Sequence, residues 1–439
     1  MNTDPRAIID RSAMSWLQVV AVIITIGLNA LDGFDVLSVS MASPGIAKEW
    51  GIDRAALGIV LSMDLIGMAV GSVVLGGLAD RIGRRPTMLG CLVVMASGMY
   101  LASFATSVAD LRMWRLITGL GIGGMLATIN AVAAEYSSLK RRNLCVSLMA
   151  IGYPIGAVLG GLVVAQLLKG SDWRAVFHFG AIVTALFIPL VLLCVPESVA
   201  WLCQRPSAGA LQRVNRALAR MGHAPVAALP APPGPAARRS IVDVLRPGLV
   251  GTTLLITLVY FLHIMTFYYI LKWVPKIVVD MGFAPASAAG VLVWTNVGGA
   301  TGGAILGLLT RRIGLKTLTI GALVVSTVMV NVFGRGQADL QQLALICAAT
   351  GFFTNAGVVG LYALFAQVFP THVRATGTGF AIGFGRGGSA LAPIIAGFLF
   401  KAGHGLQAVS LVFSIGSLVA AGALMLLRTR APEEIPLDG

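Results

Sequence analysis

Twelve apolar stretches, each about 20 residues or longer, fill most of this 439-residue chain. They run at roughly 17–42, 57–79, 87–107, 111–136, 144–168, 175–195, 249–273, 286–310, 316–334, 341–369, 374–400 and 406–428. Runs of that length constrain the fold more than any other feature. In lipid, only helices and closed barrels satisfy their own backbone. The runs have the length of a membrane-crossing helix, not the roughly 10-residue alternation of a barrel strand. Composition agrees. Apolar residues make up 57% of the chain and charged residues 11%, against roughly 45–50% and roughly 25% in soluble domains. A water-soluble fold of this size could not cover its surface with so few charges. The expected class is an all-α integral membrane protein with twelve transmembrane helices.

Twelve spans put both termini on one side. The basic residues choose the side. Arg6, Arg11, Arg81, Arg84, Arg85, Lys140, Arg141, Arg142, Arg311, Arg312, Lys316, Arg374, Arg428 and Arg430 fall in one set of loops, joined by the central gap with Arg205, Arg213, Arg216, Arg220, Arg238, Arg239 and Arg246. Lys48, Arg54, Arg112, Lys169, Arg174, Lys272, Lys276, Arg335 and Lys401 fall in the other, sparser set. The first set is expected to be cytoplasmic, with both termini, in a cell inner (plasma) membrane. The net charge of +14 thus reads as topology, not nucleic-acid binding. The segment Met1 to Ser15 is polar and of mixed charge, unlike a cleavable signal peptide. The five cysteines are scattered without metal or disulfide spacing. The gap from Pro196 to Pro247 divides six spans from six. Its Ala- and Pro-rich middle, Ala224 to Ala237, reads as a linker. The stretch Ser207 to Arg220 reads either as a basic amphipathic helix on the membrane surface or as a solvated linker helix. The expected domains are residues 1–198, a linker 199–247, and residues 248–439.

The two halves repeat at a shift of about 231 residues. Gly76-Gly77-Leu78-Ala79-Asp80-Arg81-Ile82-Gly83-Arg84-Arg85 corresponds to Gly307-Leu308-Leu309-Thr310-Arg311-Arg312-Ile313-Gly314-Leu315-Lys316. Glu135 and Arg142 correspond to Gln367 and Arg374, and Gly152 and Gly156 to Gly383 and Gly387. Two parallel six-helix repeats suit a transporter.

These segments resemble the major facilitator superfamily. The loop Gly77 to Arg85 is similar to its signature after the second helix. Arg115-Leu116-Ile117-Thr118-Gly119-Leu120-Gly121-Ile122-Gly123-Gly124 resembles its fourth-helix motif, and Gly152 to Gly161 its fifth-helix motif. Pro196-Glu197-Ser198 closes the sixth span as in that family. The resemblance covers the whole chain and implies two pseudo-symmetric six-helix halves (the major facilitator fold) working by alternating access. In the first span, Leu31-Asp32-Gly33-Phe34-Asp35 resembles the aromatic acid:proton symporter family, as do Trp273-Val274-Pro275 and Gly385-Arg386-Gly387.

Charges at membrane depth are expensive and usually face a cavity. Asp32, Asp35 and Asp64 lie at one level, where burial and like charge favour protonated forms. Asp32 and Asp35 are expected to carry coupling protons; an ion pair with Arg115 is the compatible structural alternative. Asp64 either tunes those two carboxylates or faces the outer vestibule, and the resemblance gives it no role. Arg386 lies near the midplane of the eleventh span. No acidic residue falls in an expected span of the second half, and a carboxylate substrate suits the planar fork of an arginine. Arg115, Tyr153, Tyr260, His263, Asn130 and Asn355 complete the expected substrate contacts. For His263 simple packing is the commoner role; the asparagines serve a substrate hydroxyl or bridge helices. Asp80, Arg81, Arg84, Arg85, Glu135 and Arg142 are expected to form a gating network at the inner face. Arg311 and Gln367 replace Asp80 and Glu135 in the second half, so its network should be weaker.

The expected function is proton-coupled import of an aromatic carboxylate of the hydroxybenzoate type. The partners are that acid, protons and the lipid bilayer, with no nucleic acid, and a single copy is expected to suffice. The alternatives are another organic anion, a sugar, or a drug:proton antiporter. An enzyme is not expected: His178, His223, His263, His372 and His404 are dispersed, with no metal site and no cofactor motif.

Overall fold

The computed structural model describes residues 4–204, 209–230, 244–246, 248–369 and 373–427. The regular structure among them is helical throughout. Among the described residues, twelve helices are long and apolar enough to cross a membrane. In the first half they are α2 (Trp16–Trp50), α3 (Arg54–Ile82), α4 (Arg84–Ser103), α5 (Val108–Glu135), α6 (Arg142–Leu167) and α7 (Arg174–Cys194). In the second half they are α10 (Val250–Asp280), α11 (Pro285–Leu309), α12 (Leu315–Gly334), α13 (Leu340–Val368), α14 (Arg374–Lys401) and α15 (Leu406–Leu426). Three shorter helices accompany them: α1 (Pro5–Arg11), α8 (Val199–Gln204) and α9 (Ala210–Arg220).

The side chains are arranged as a lipid-solvated protein requires. Val73 is 78% exposed and Leu426 76%, whereas Asp32, Asp35, Asp64 and Arg115 are wholly buried. Apolar groups face outward because lipid accepts them, and charges turn inward because lipid does not.

The chain divides into two compact units, Met1–Trp50 with Met63–Ala236, and Gly51–Ser62 with Ala237–Gly439. In the first unit, glycines bring helices to backbone contact. A Cβ on Gly152 or Gly156 of α6 would run into the carbonyls of Ile26 and Ala30 on α2. A Cβ on Gly119 or Gly123 of α5 would meet Asp64 and Met68 on α3, and one on Gly67 or Gly71 of α3 would meet Leu116 and Leu120 on α5. Small residues at four-residue spacing are the usual means of such close approach. In the second unit α11 and α13 meet the same way, at Gly298, Gly302 and Gly351. The counterpart of the α2–α6 contact is α10–α14. There the tight positions are Gly385 and Gly388, not the repeat-matched Gly383 and Gly387.

Several expected boundaries move. The first span was expected to end near residue 42, yet α2 continues to Trp50 with Pro44 inside it. Proline leaves the carbonyl four residues earlier without its donor. Ser43 Oγ donates to that carbonyl, Ser40 O, at 2.8 Å, so the helix carries on. Likewise α10 runs past Pro275 to Asp280. Lys272, read as a loop residue, is therefore inside α10 and fully buried. Asp280, beyond the expected span 249–273, ends the same helix; it pairs with Lys276 and with Arg54 at 3.0 Å.

The linker is more structured than its composition suggests. In α9, Val214 and Leu218 are buried, so its apolar face lies on protein. The membrane-surface alternative is set aside accordingly. Asn215 and Val226 exchange hydrogen bonds of 3.0 and 2.8 Å, folding the chain back after α9. His223 Nε2 meets Gln18 Oε1 at 3.1 Å, while Gln18 Nε2 donates to Tyr136 O. Residues 205–208, 231–243 and 247 of the expected linker lie outside the described residues.

Candidate functional site

Five helices of the first unit converge on one buried guanidinium. Arg115 of α5 donates from Nη2 to Asp64 Oδ2 of α3 at 3.1 Å and to the main-chain carbonyl of Asp35 on α2 at 2.8 Å. Its Nη1 meets Met99 Sδ of α4 at 3.0 Å. The Phe177 ring of α7 lies 5.5 Å from its guanidinium carbon. The Gly67/Gly71 and Gly119/Gly123 contacts underlie this arrangement: they press α3 against α5 at Asp64, one turn from Arg115 on α5. Asp64 Oδ1 also accepts from Leu65 N at 2.9 Å.

This corrects one expectation. The ion pair foreseen between Arg115 and the acids of the first span is instead made with Asp64. Asp35 offers Arg115 its backbone, not its carboxylate. Both carboxylate oxygens of Asp35 are buried and accept no hydrogen bond among the described residues. A methyl on Gly180 of α7 would stand 3.5 Å from Asp35 Oδ1, so the carboxylate is closely packed. Asp32 is equally buried on the same helix, within electrostatic reach of the Cys91 thiol of α4. Arg115 is itself wholly enclosed; its expected contact with substrate gives way to a place inside this cluster. Tyr153 stands beside the acids on α6, its backbone against Gly33.

The other expected substrate residues separate into two kinds. In the second unit, Tyr260 of α10 hydrogen-bonds Tyr362 of α13 through their hydroxyls at 3.0 Å. Arg386 of α14 is half-buried and within electrostatic reach of Tyr260. Gly385, its neighbour, is the position where α14 touches the Tyr260 ring. Tyr260 thus links Tyr362 to Arg386. His263 does not join them. Its Nε2 donates to Thr354 O and its Nδ1 meets Ser417 Oγ, each at 2.8 Å, in full burial. With both ring nitrogens occupied, it ties α10 to α13 and α15, which is the packing role. Asn355 donates to Gly299 O at 2.7 Å and bridges α13 to α11. Asn130 is exposed and donates to Leu126 O of its own helix at 2.8 Å.

At the basic end of the first unit, Arg84 is the centre. It pairs with Asp80 at 2.6 Å and with Glu135 at 3.1 Å. Arg142, expected to join Glu135, instead pairs with Asp10 of α1 and donates to Ala134 O at 3.1 Å. Arg85 donates to Leu192 O, and Arg81 is exposed. Glu197, just before α8, completes the group. Its Oε1 accepts from the backbone of Arg84 at 2.9 Å and of Arg85 at 3.4 Å, doing for α4 what a capping side chain does. The residue before that helix is Gly83, at φ +116°, with no capping side chain of its own; that φ favours glycine. Burial raises the Glu197 carboxyl above its ordinary range, against the opposing pull of those backbone donors.

Reading the sequence missed Asp64, Asp10 and Glu197 as partners. For Asp64 a signal existed: Gly67 and Gly71 match Gly119 and Gly123 in spacing, and that pairing implies the helix contact. For Asp10 and Glu197 no comparable spacing signal is present.

Comparison with known proteins agrees with this architecture. The family model of the Major Facilitator Superfamily matches residues 24–334 and 256–438. The chain is 31% identical to the 3-(3-hydroxy-phenyl)propionate transporter of Escherichia coli (strain K12), over 93% of this chain and 94% of that one. It is 28% identical to the gallate transporter of Pseudomonas putida, over 94% and 92%. It is also 28% identical to the 4-hydroxybenzoate transporter PcaK of Pseudomonas putida, over 89% and 88%. Among solved structures, a partially occluded inward-open xylose transporter XylE from E. coli is similar with a TM-score of 0.73 at 17% identity, covering 94% of this chain and 98% of that one. Twelve membrane helices, glycine-packed in two units, and a family match across nearly the whole length lead to one conclusion: the chain is a multi-pass membrane transporter of the Major Facilitator Superfamily.

Proposed function

We propose that this transporter imports an aromatic carboxylate, of the hydroxybenzoate type, together with protons by alternating access. The observation that carries the proton half of this reading is the buried Asp35 carboxylate. It accepts no hydrogen bond among the described residues, beside an arginine already paired with Asp64. A buried carboxylate without hydrogen bonds is costly as an anion, so it is a group on which a proton arrives and leaves as its surroundings change. Asp32, one turn away on the same helix, shares that role.

The substrate half rests on the relatives, named as transporters of aromatic acids, and on Arg386. A half-buried guanidinium within electrostatic reach of Tyr260, whose hydroxyl meets that of Tyr362, suits a ring carrying both a carboxylate and a hydroxyl. The Asp80–Arg84–Glu135 network supports a gate at the inner face. The orientation proposed from the basic loops puts both termini in the cytoplasm of a cell with this transporter in its inner membrane, working as a monomer.

Uptake of labelled 4-hydroxybenzoate into proteoliposomes, with and without an inward proton gradient, tests the reading. Gradient-driven accumulation by the wild type, lost in Asp32→Asn and Arg386→Ala, is the expected result. A competent preparation that moves a sugar or a cationic drug and no aromatic acid would overturn it.

A further inference from the structure

The buried cluster holds three carboxylates and one fixed positive charge. On α2 stand Asp32 and Asp35; α3 contributes Asp64; α5 contributes Arg115. From α4 come the Met99 sulfur and the Cys91 thiol, and from α6 comes Tyr153. The α7 face is uncharged here, with the Phe177 ring and Gly180; its His178 packs on Tyr100 and Phe104 instead. Arg115 Nε and both Asp35 oxygens are buried without hydrogen-bond partners among the described residues. Yet the same guanidinium already touches the Asp35 main chain at 2.8 Å. The arginine is thus next to Asp35 but committed to Asp64.

We propose that Asp64 is a positioning residue for proton coupling: by pairing with Arg115 it withholds the guanidinium from the Asp35 carboxylate, so that two acids share one arginine. The proposal rests on Asp35 being a coupling-proton site, as in the function proposed above. With Arg115 and Asp64 paired, their charges cancel and Asp35 holds its proton. When that proton leaves, the new anion draws on Arg115, whose guanidinium already reaches the Asp35 main chain. Each proton movement is then accompanied by a change of partner. Without Asp64 the arginine would stay with Asp35 and hold it ionised. Without Arg115 the Asp64 charge would stand unneutralised beside Asp35 and keep its proton on.

The two single substitutions are therefore predicted to shift transport in opposite directions. The measurement is the pH dependence of gradient-driven 4-hydroxybenzoate uptake, paired with counterflow exchange at equal pH, which needs no net proton movement. Asp64→Asn should move the uptake profile about one unit or more toward acid, and lower accumulation at neutral pH about tenfold, with exchange retained. Arg115→Gln should move it toward alkali. The double variant, which removes a neutral pair, should lie between them, and Asp64→Glu should restore the wild-type profile. Any two of these variants that fold test the order of the profiles. Unshifted profiles, shifts of the same sign, or parallel loss of exchange and accumulation in well-folded Asp64→Asn protein would overturn the assignment while leaving wild-type symport intact. A wild type with no proton-driven uptake would overturn the underlying reading as well.

Discussion

Arg115 illustrates how strongly a single buried charge depends on its partner. Its guanidinium and the Asp64 carboxylate are both wholly enclosed. Removing one member of such a pair leaves the other uncompensated, a loss of about 3–5 kcal/mol. Arg115→Ala is expected to lower the thermal unfolding temperature in detergent markedly, and Arg115→Ala with Asp64→Asn to recover most of that loss. Equal destabilisation by single and double variants would mean the pair contributes nothing as a pair. Arg386 makes a different demand, for shape as well as charge. A lysine keeps the charge and loses the planar fork. Arg386→Lys is expected to raise the apparent KM for the aromatic acid roughly tenfold, about 1.4 kcal/mol, with less effect on the maximal rate. An unchanged KM would remove Arg386 from the substrate contacts.

At the scale of elements, the helices were legible and their meetings were not. Each span announces itself because lipid demands about 20 apolar residues in a row. Which carboxylate Arg115 meets depends on the α3–α5 crossing, encoded only in two glycine pairs a half-hundred residues apart. The Asp10–Arg142 pair depends on where α1 comes to rest, and no periodicity in α1 fixes that. For His263 the sequence leaves two roles, with packing the commoner. A histidine among aromatics looks functional in sequence, but its two hydrogen bonds bind three helices together. Glu197 shows how an element's end is completed from elsewhere. It caps α4 from outside that helix, and its carboxyl is raised by burial. The sign follows: the folded state prefers the neutral acid, so this contribution is complete below the unfolded value of 4.5. It is lost as pH rises through the raised folded value. Glu197→Gln keeps the acceptor oxygen and removes the charge. The difference in unfolding temperature between wild type and Glu197→Gln should therefore change with pH across that window, and a constant difference would contradict it.

For the whole molecule, composition and run length sufficed for class and span number, and the repeat with its motifs sufficed for the family. Orientation follows from arginine and lysine counts alone, so it makes a separate prediction. In a background with the five native cysteines replaced, Ser171→Cys, in the loop between α6 and α7, should react with a membrane-impermeant maleimide on intact cells. Arg312→Cys, between α11 and α12, should react only after the membrane is opened. The reverse pattern would invert the topology. The central claim, that an aromatic acid and protons move together through Asp35, is tested most directly by a pH electrode in lightly buffered proteoliposomes. Adding 4-hydroxybenzoate should make the outside medium more alkaline with wild-type protein, well above the rate in protein-free vesicles, and no faster than that rate with Asp35→Asn. Carrier-dependent uptake without alkalinisation, or with acidification, would contradict symport.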